Sequence, residues 1–75
     1  MDEDELLRQF GKRVKKLRNA RGYSQREFAE RTGFHRTYIS MVERGEKNVT
    51  LMSLVKISVG LNTRLEVLVQ GLIKS

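Results

Sequence analysis

Four glycines divide this chain into short segments in which apolar residues recur at helical spacing. Gly22, Gly33, Gly45 and Gly60 each follow one such segment, and glycine readily adopts the left-handed backbone conformation in which helices end. No segment alternates apolar and polar residues as a half-buried strand does. The pattern therefore predicts an all-α fold of five helices, the last of which follows Gly60.

Capping residues help to define where these helices begin. Ser24 and Glu27 have the spacing of a capping box, as do Thr63 and Glu66, and Thr50 is placed to cap the fourth helix. The predicted helices run over about 4–21, 25 to 31 or 32, 36–44, 51–59 and 64–73. The fourth segment is apolar on almost every face, which predicts that this helix is buried on most sides.

Composition limits the class of protein. The 75 residues include no cysteine and one histidine, so neither a disulfide framework nor a zinc cluster is possible. The length predicts a single domain over residues 1–75, and we expect no cofactor. The acidic start MDEDELL is unlike a signal peptide, and no apolar run approaches the roughly 20 residues that span a bilayer. We therefore expect a cytoplasmic protein.

Positive charge is abundant and unevenly distributed. The chain has 15 Lys and Arg against 9 Asp and Glu, a net charge of +6, and seven of the cations lie between Arg8 and Arg21 with no acid among them. Such a run favours a polyanionic partner. A solvated helix face is the alternative interpretation. A basic helix bound to a membrane surface would account for the first helix alone.

The second and third predicted helices have the pattern of a helix-turn-helix. A small residue, Ala29, stands where the two helices would cross, and Gly33 follows at the position of the tight turn. Ile39 and Val42 then provide the apolar contacts that hold the second of these helices, leaving its outer face polar. This unit is typical of proteins that place one helix in the major groove of DNA.

Three segments carry a resemblance to a known family. QREFAERTG at 25–33, HRTYIS at 35–40 and VERG at 42–45 resemble the Cro/repressor type of helix-turn-helix, or XRE family, over about residues 8–72. The short length, together with HRTYIS followed by ERGEKN, further resembles the controller proteins of restriction-modification systems. The link around Leu61-Asn62-Thr63 is one residue longer than is usual in the family.

The resemblance implies a five-helix homodimer that binds an operator and regulates transcription. The implied partners are double-stranded DNA, a second copy of the chain and RNA polymerase, with no membrane and no small-molecule ligand. An antitoxin or a stand-alone phage-like repressor of the same family is the alternative function. An antitoxin would need a surface for its toxin, and we expect few exposed apolar residues outside the dimer patch.

The predicted DNA contacts fall into two groups. An arginine in the first turn of the third helix can bond the O6 and N7 atoms of guanine, although it could bond a phosphate instead. The base-reading residues are predicted to be Arg36, Thr37, Ser40 and Met41. By the resemblance and the positive end of the helix dipole, the phosphate-binding residues are predicted to be Ser24, Gln25, His35, Tyr38, Arg44, Lys47 and Asn48.

Several of these residues have ordinary alternatives. Gln25 could be a plain exposed glutamine, Tyr38 could pack at the domain edge, and Met41 could pack as well. The loop that carries Arg44, Lys47 and Asn48 could simply be solvated. His35 is placed to cap the third helix. No acid, hydroxyl or second histidine is spaced with it as a catalytic triad requires, so we expect no enzymatic activity.

Two further sets of residues have structural roles. Arg18 and Glu43 occupy the positions of a family salt bridge that joins the first helix to the end of the third. On the fifth helix, the apolar residues cover a wider arc than one small core needs, which predicts a dimer surface, although they could all face the chain's own core. The predicted dimer residues are Leu65, Val67, Val69, Leu72 and Ile73.

Overall fold

The computed structural model describes residues 2–73 and contains five α-helices there. They are α1 (Glu3–Ala20), α2 (Gln25–Thr32), α3 (Arg36–Glu43), α4 (Leu51–Gly60) and α5 (Leu65–Val69). The all-α, five-helix prediction is confirmed, and the first four helices begin and end within one residue of their expected bounds. None of these helices in residues 2–73 is both long and apolar enough to cross a membrane.

Local capping explains why the helices begin where they do. In α2, the Ser24 hydroxyl accepts from the Glu27 amide and the Glu27 carboxylate accepts from the Ser24 amide, both at 3.0 Å. In α4, the Thr50 hydroxyl accepts from the Ser53 amide at 3.1 Å. Each bond satisfies a backbone or side-chain group that would otherwise lack a partner in the first helical turn.

The core lies between the five packed helices. α1 packs against α3 and α5, whereas α2 packs against α3 and α4. The buried apolar residues come from all five helices and the residue after α4; they are Phe10, Val14, Phe28, Ala29, Ile39, Val42, Ile57, Leu61 and Leu68. The two helices of the predicted helix-turn-helix, α2 and α3, therefore pack on one shared hydrophobic core.

The expectation that α4 is buried on most sides is wrong. Leu51, Met52 and Val59 are 68%, 63% and 71% exposed. Only the side that carries Ile57, Ser58 and Gly60 is buried. α2 and α5 both pack against α4, and a chain of this length has no further element within residues 2–73 to cover the rest of it. A largely apolar helix is thus left half uncovered.

The fifth helix is shorter than predicted. It ends at Val69 rather than Ile73 because the backbone leaves helical geometry at Gln70 and Gly71 has a φ of +73°. The capping box of Thr63 and Glu66 is also wrong. The Thr63 hydroxyl donates to the Leu61 carbonyl at 3.1 Å, and the Glu66 carboxylate pairs with the Arg64 guanidinium at 3.0 Å instead.

Candidate nucleic-acid interface

The turn between α2 and α3 sets the angle of the two helices. Gly33 ends α2 with a φ of +78°, which is the left-handed conformation that favours glycine. Ala29 is buried at the crossing, and Ile39 and Val42 of α3 are buried beneath it. His35 takes the N-cap position of α3, but its side chain forms no capping bond and is exposed. The outer face of α3 is left to solvent.

A buried salt bridge holds the far end of α3 on α1. Arg18 Nε lies 2.7 Å from Glu43 Oε2 and Arg18 Nη2 lies 3.0 Å from Glu43 Oε1. The same guanidinium donates to the Tyr23 carbonyl at 2.8 Å. The two side chains are 8% and 3% exposed, so the pair is screened little by water. This bidentate bond fixes the direction of α3 relative to α1.

Gln25 joins this network at the start of α2. Its Nε2 donates to Glu43 Oε1 at 3.1 Å. The side chain is half-buried, so the interpretation of Gln25 as a plain exposed residue does not describe it. One N–H and the carbonyl oxygen of the amide remain for other partners.

A shallow concavity opens beside the first turn of α2. It brings Gln25 together with Arg36 of α3, two residues predicted to contact DNA. The residues that line it are Arg18, Ser24, Gln25, Arg26 and Arg36. Arg26 is a candidate that the sequence analysis missed, although its place in the first turn of α2, next to Gln25, could have indicated it. Arg26 and Arg36 are both exposed, so two cations border this concavity.

The candidates on and just after α3 differ in their solvent exposure and in their hydrogen bonds. Arg36 and Thr37 are exposed in its first turn, whereas Ser40 and Met41 are half-buried. Arg44 Nη1 donates to the Ser40 hydroxyl, and Arg44 Nε donates to the Glu46 carboxylate at 2.7 Å. The bond from Arg44 lowers the pKa of Glu46. The Arg44 side chain therefore already has hydrogen-bond partners on α3 and in the loop that follows it.

Tyr38 packs against Phe34 and contacts Ser53 of α4, and its phosphate contact stays a prediction. Its ring centroid lies 4.7 Å from that of Phe34, and its hydroxyl donates to the Ser53 hydroxyl at 3.1 Å. Lys47 and Asn48 are exposed in the loop between α3 and α4. Their phosphate contacts stay a prediction.

Much of the basic run on α1 serves the protein's own structure. Besides Arg18, the run contributes Arg21, whose Nε donates to the Leu61 carbonyl at 2.7 Å and whose Nη2 donates to the Thr63 hydroxyl at 3.0 Å. Arg13 donates to carbonyls near the end of α5. Charge counting therefore overstated how much of this run faces a polyanion.

Two helices that pack on one core, join through a tight glycine turn and carry an exposed arginine at the start of the second helix define a DNA-binding domain of the helix-turn-helix class. Residues 14–68 match the family model described as "Helix-turn-helix". The chain belongs to this family of DNA-binding transcriptional regulators.

Two control proteins and one solved structure of a controller protein are similar to most of the chain. It is 46% identical over 63 residues to the control protein C.SmaI of Serratia marcescens, covering 84% of this chain and 71% of that protein. It is also 46% identical over 57 residues to the control protein C.MunI of Mycoplasma sp, covering 75% and 77%. The crystal structure of the restriction-modification controller protein C.AhdI from Aeromonas hydrophila superposes with a TM-score of 0.87 and 37% identity, covering 91% of this chain and 99% of that one.

Proposed function

We propose that this chain binds an inverted-repeat operator as a homodimer, reads the operator with α3, and controls transcription of its own gene within a restriction-modification system. RNA polymerase is the further partner where the bound protein activates. The similarity to control proteins supports the genetic setting. If genes for an endonuclease and a methyltransferase were absent beside its own gene, this setting would be contradicted.

The observation that carries the proposal is the place of Arg36. Its exposed side chain stands in the first turn of α3, beside the concavity that also holds Gln25 and Arg26. Helix-turn-helix proteins contact base edges from the first turn of the recognition helix and contact phosphates from the start of the preceding helix. Arg36 is therefore proposed to bond a guanine, while Gln25 and Arg26 bond the phosphate that positions it.

A comparison of specific and random DNA tests this division. Protection mapping on the DNA upstream of the protein's own gene first defines the operator. We expect Arg36→Ala to lose about 1–3 kcal/mol of binding free energy on the operator and little on random duplex. Arg26→Ala is the matched control, because removing a phosphate contact weakens both duplexes alike. Equal losses for Arg36 on both duplexes would make it a phosphate contact.

An apolar surface on α4 and α5 supports the homodimer. Val69 and Ile73 line one groove together with Leu54 of α4, and Val59 lines another with Leu65. We call this surface the α4–α5 apolar face; its exposed members are Leu51, Met52, Val55, Val59, Val69 and Ile73. Val67, also predicted at the interface, instead lines a groove with Arg13 and Lys16 of α1. Of the five residues predicted at the interface, Leu65 and Leu72 are half-buried against the chain's own core. Adjoining exposed apolar residues of this kind mark interaction sites.

A second copy of the chain is the proposed occupant of this face. An isologous contact through it would relate two recognition helices by a two-fold axis, with half-sites roughly 34 Å apart. The face extends onto α4, beyond the dimer patch predicted from α5, so it also offers the apolar area that an antitoxin needs for its toxin. Oligomeric state in solution separates these two functions.

A charge placed on the face tests the dimer. We expect the wild type to sediment as a dimer at protein concentrations on the order of tens of micromolar. Val59→Asp should give a folded monomer that protects operator DNA weakly. Val59 is 71% exposed, so the monomer itself tolerates the charge. Asn19→Asp on the exposed side of α1 adds the same charge and should leave the dimer intact. A monomeric wild type that protects one half-site would refute the dimer and favour the antitoxin alternative.

A further inference from the structure

The fifth helix is held in place by few interactions of its own. It has five residues, and Leu68 is its only fully buried side chain in the part of the chain that the structure describes. Its last carbonyls have no continuing helix to bond, because Gln70 leaves helical geometry and helix ends leave such groups without intrahelical partners. Something outside α5 must therefore define its direction.

Arg13 supplies that contact from α1. Its Nη1 donates to the Val67 carbonyl at 3.2 Å and to the Leu68 carbonyl at 3.3 Å, and it also donates to the Gln70 carbonyl. These acceptors lie on both sides of the residue where α5 ends. One guanidinium thus holds the end of the helix and the chain that leaves it, more than fifty positions away in sequence.

The contact lies next to Val69, an apolar residue proposed to meet a second copy. Val69 stands between Leu68 and Gln70, is 43% exposed, and lines a groove with Leu54 of α4. Rotation of α5 about the Leu68 anchor would turn Val69 away from α4. Because Arg13 bonds the Val67 and Leu68 carbonyls themselves, it opposes this rotation.

We propose that Arg13 is a positioning residue for dimerisation, which holds α5 in the orientation that its partner copy binds. The inference rests on the proposed homodimer and adds a residue that is not itself part of the apolar face. Two of the three carbonyl bonds are at the exposed surface, so water can replace them in a free monomer. Loss of Arg13 should therefore affect assembly more than folding.

Sedimentation of three variants tests the role. We expect Arg13→Met to raise the dimer dissociation constant about tenfold or more, because hydrogen bonds from a charged group are lost in the bound orientation. Arg13→Lys keeps the charge without the planar guanidinium, so it should fall between Arg13→Met and wild type. Lys16→Met is the matched control: Lys16 lines the same groove as Arg13 and Val67, and its side chain forms no hydrogen bond to any other part of residues 2–73.

Binding to a single half-site duplex separates positioning from general damage. Arg13→Met should bind one half-site like the wild type and should regain full operator binding as its concentration rises. If Arg13→Met dimerises like the wild type, or if Lys16→Met weakens the dimer equally, the inference is overturned. If Arg13→Met does not fold, a folded Arg13→Lys with a wild-type dissociation constant overturns it. A monomeric wild type would instead overturn the homodimer on which it rests.

Discussion

Substitution of Gly11 by alanine should destabilise the protein, against the usual preference of helices. Gly11 lies in the middle of α1, where alanine is normally favoured by about 0.5–1 kcal/mol. A Cβ at this position would lie 2.4 Å from the Val42 carbonyl oxygen and 2.6 Å from that of Glu43. Both atoms belong to the backbone of α3, so neither can rotate away.

The size of the effect follows from these distances. Ordinary van der Waals contact for a Cβ begins near 3.4 Å, so α1 and α3 must separate by roughly 1 Å, and overpacking of this kind costs about 1–3 kcal/mol. The separation also lengthens the Arg18–Glu43 bonds, which lie on the same side of α1. After the helix preference is subtracted, we expect a net loss of about 1–2 kcal/mol and a fall in Tm of roughly 5–15 °C.

Thermal and urea unfolding followed by circular dichroism measure this loss. Lys15→Ala on the exposed side of α1 should change stability by a few tenths of a kcal/mol. A Tm for Gly11→Ala at or above that of the wild type would refute the reasoning, because helix preference would then exceed the cost of contact.

Two other predictions concern polar groups. Arg18→Ala and Glu43→Ala should each lower the free energy of unfolding by about 3–5 kcal/mol, because each leaves a buried charge unpaired. The double mutant should lose less than the sum of the two single losses. Additive losses in urea unfolding would show that the two residues are not coupled. The bond from the Ser24 amide lowers the pKa of Glu27 below its ordinary value, so this carboxylate contributes stability above its unfolded pKa that is lost as the pH falls through the folded value. Glu27→Gln should therefore lose less stability than the wild type between neutral pH and pH ~3, and identical pH profiles would contradict it.

Local features of the sequence determined most of the fold. The capping pair Ser24 and Glu27 and the turn residue Gly33 act on groups within four positions along the chain, so their effect depends little on the surroundings. The first four helices and the helix-turn-helix follow from such short-range signals. The burial of both Ile39 and Val42 also follows, because residues three apart lie on the same side of a helix.

Tertiary structure decided where the long side chains bind and which apolar faces remain uncovered. Arg13 and Arg21 look like any other cations of the basic run, and only the packing of α4 and α5 brings carbonyls within their reach. Likewise, the apolar faces of α4 predicted burial, but a helix is buried only where another element covers it.

The role of Gly11 shows the same division most directly. A glycine inside a helical pattern indicates a close contact without saying with what. The contact is with α3, more than thirty residues later in sequence. Capping and turn chemistry act between neighbours along the chain and can be deduced from spacing, whereas close approach and burial depend on distances between helices that are set only when the whole core packs together.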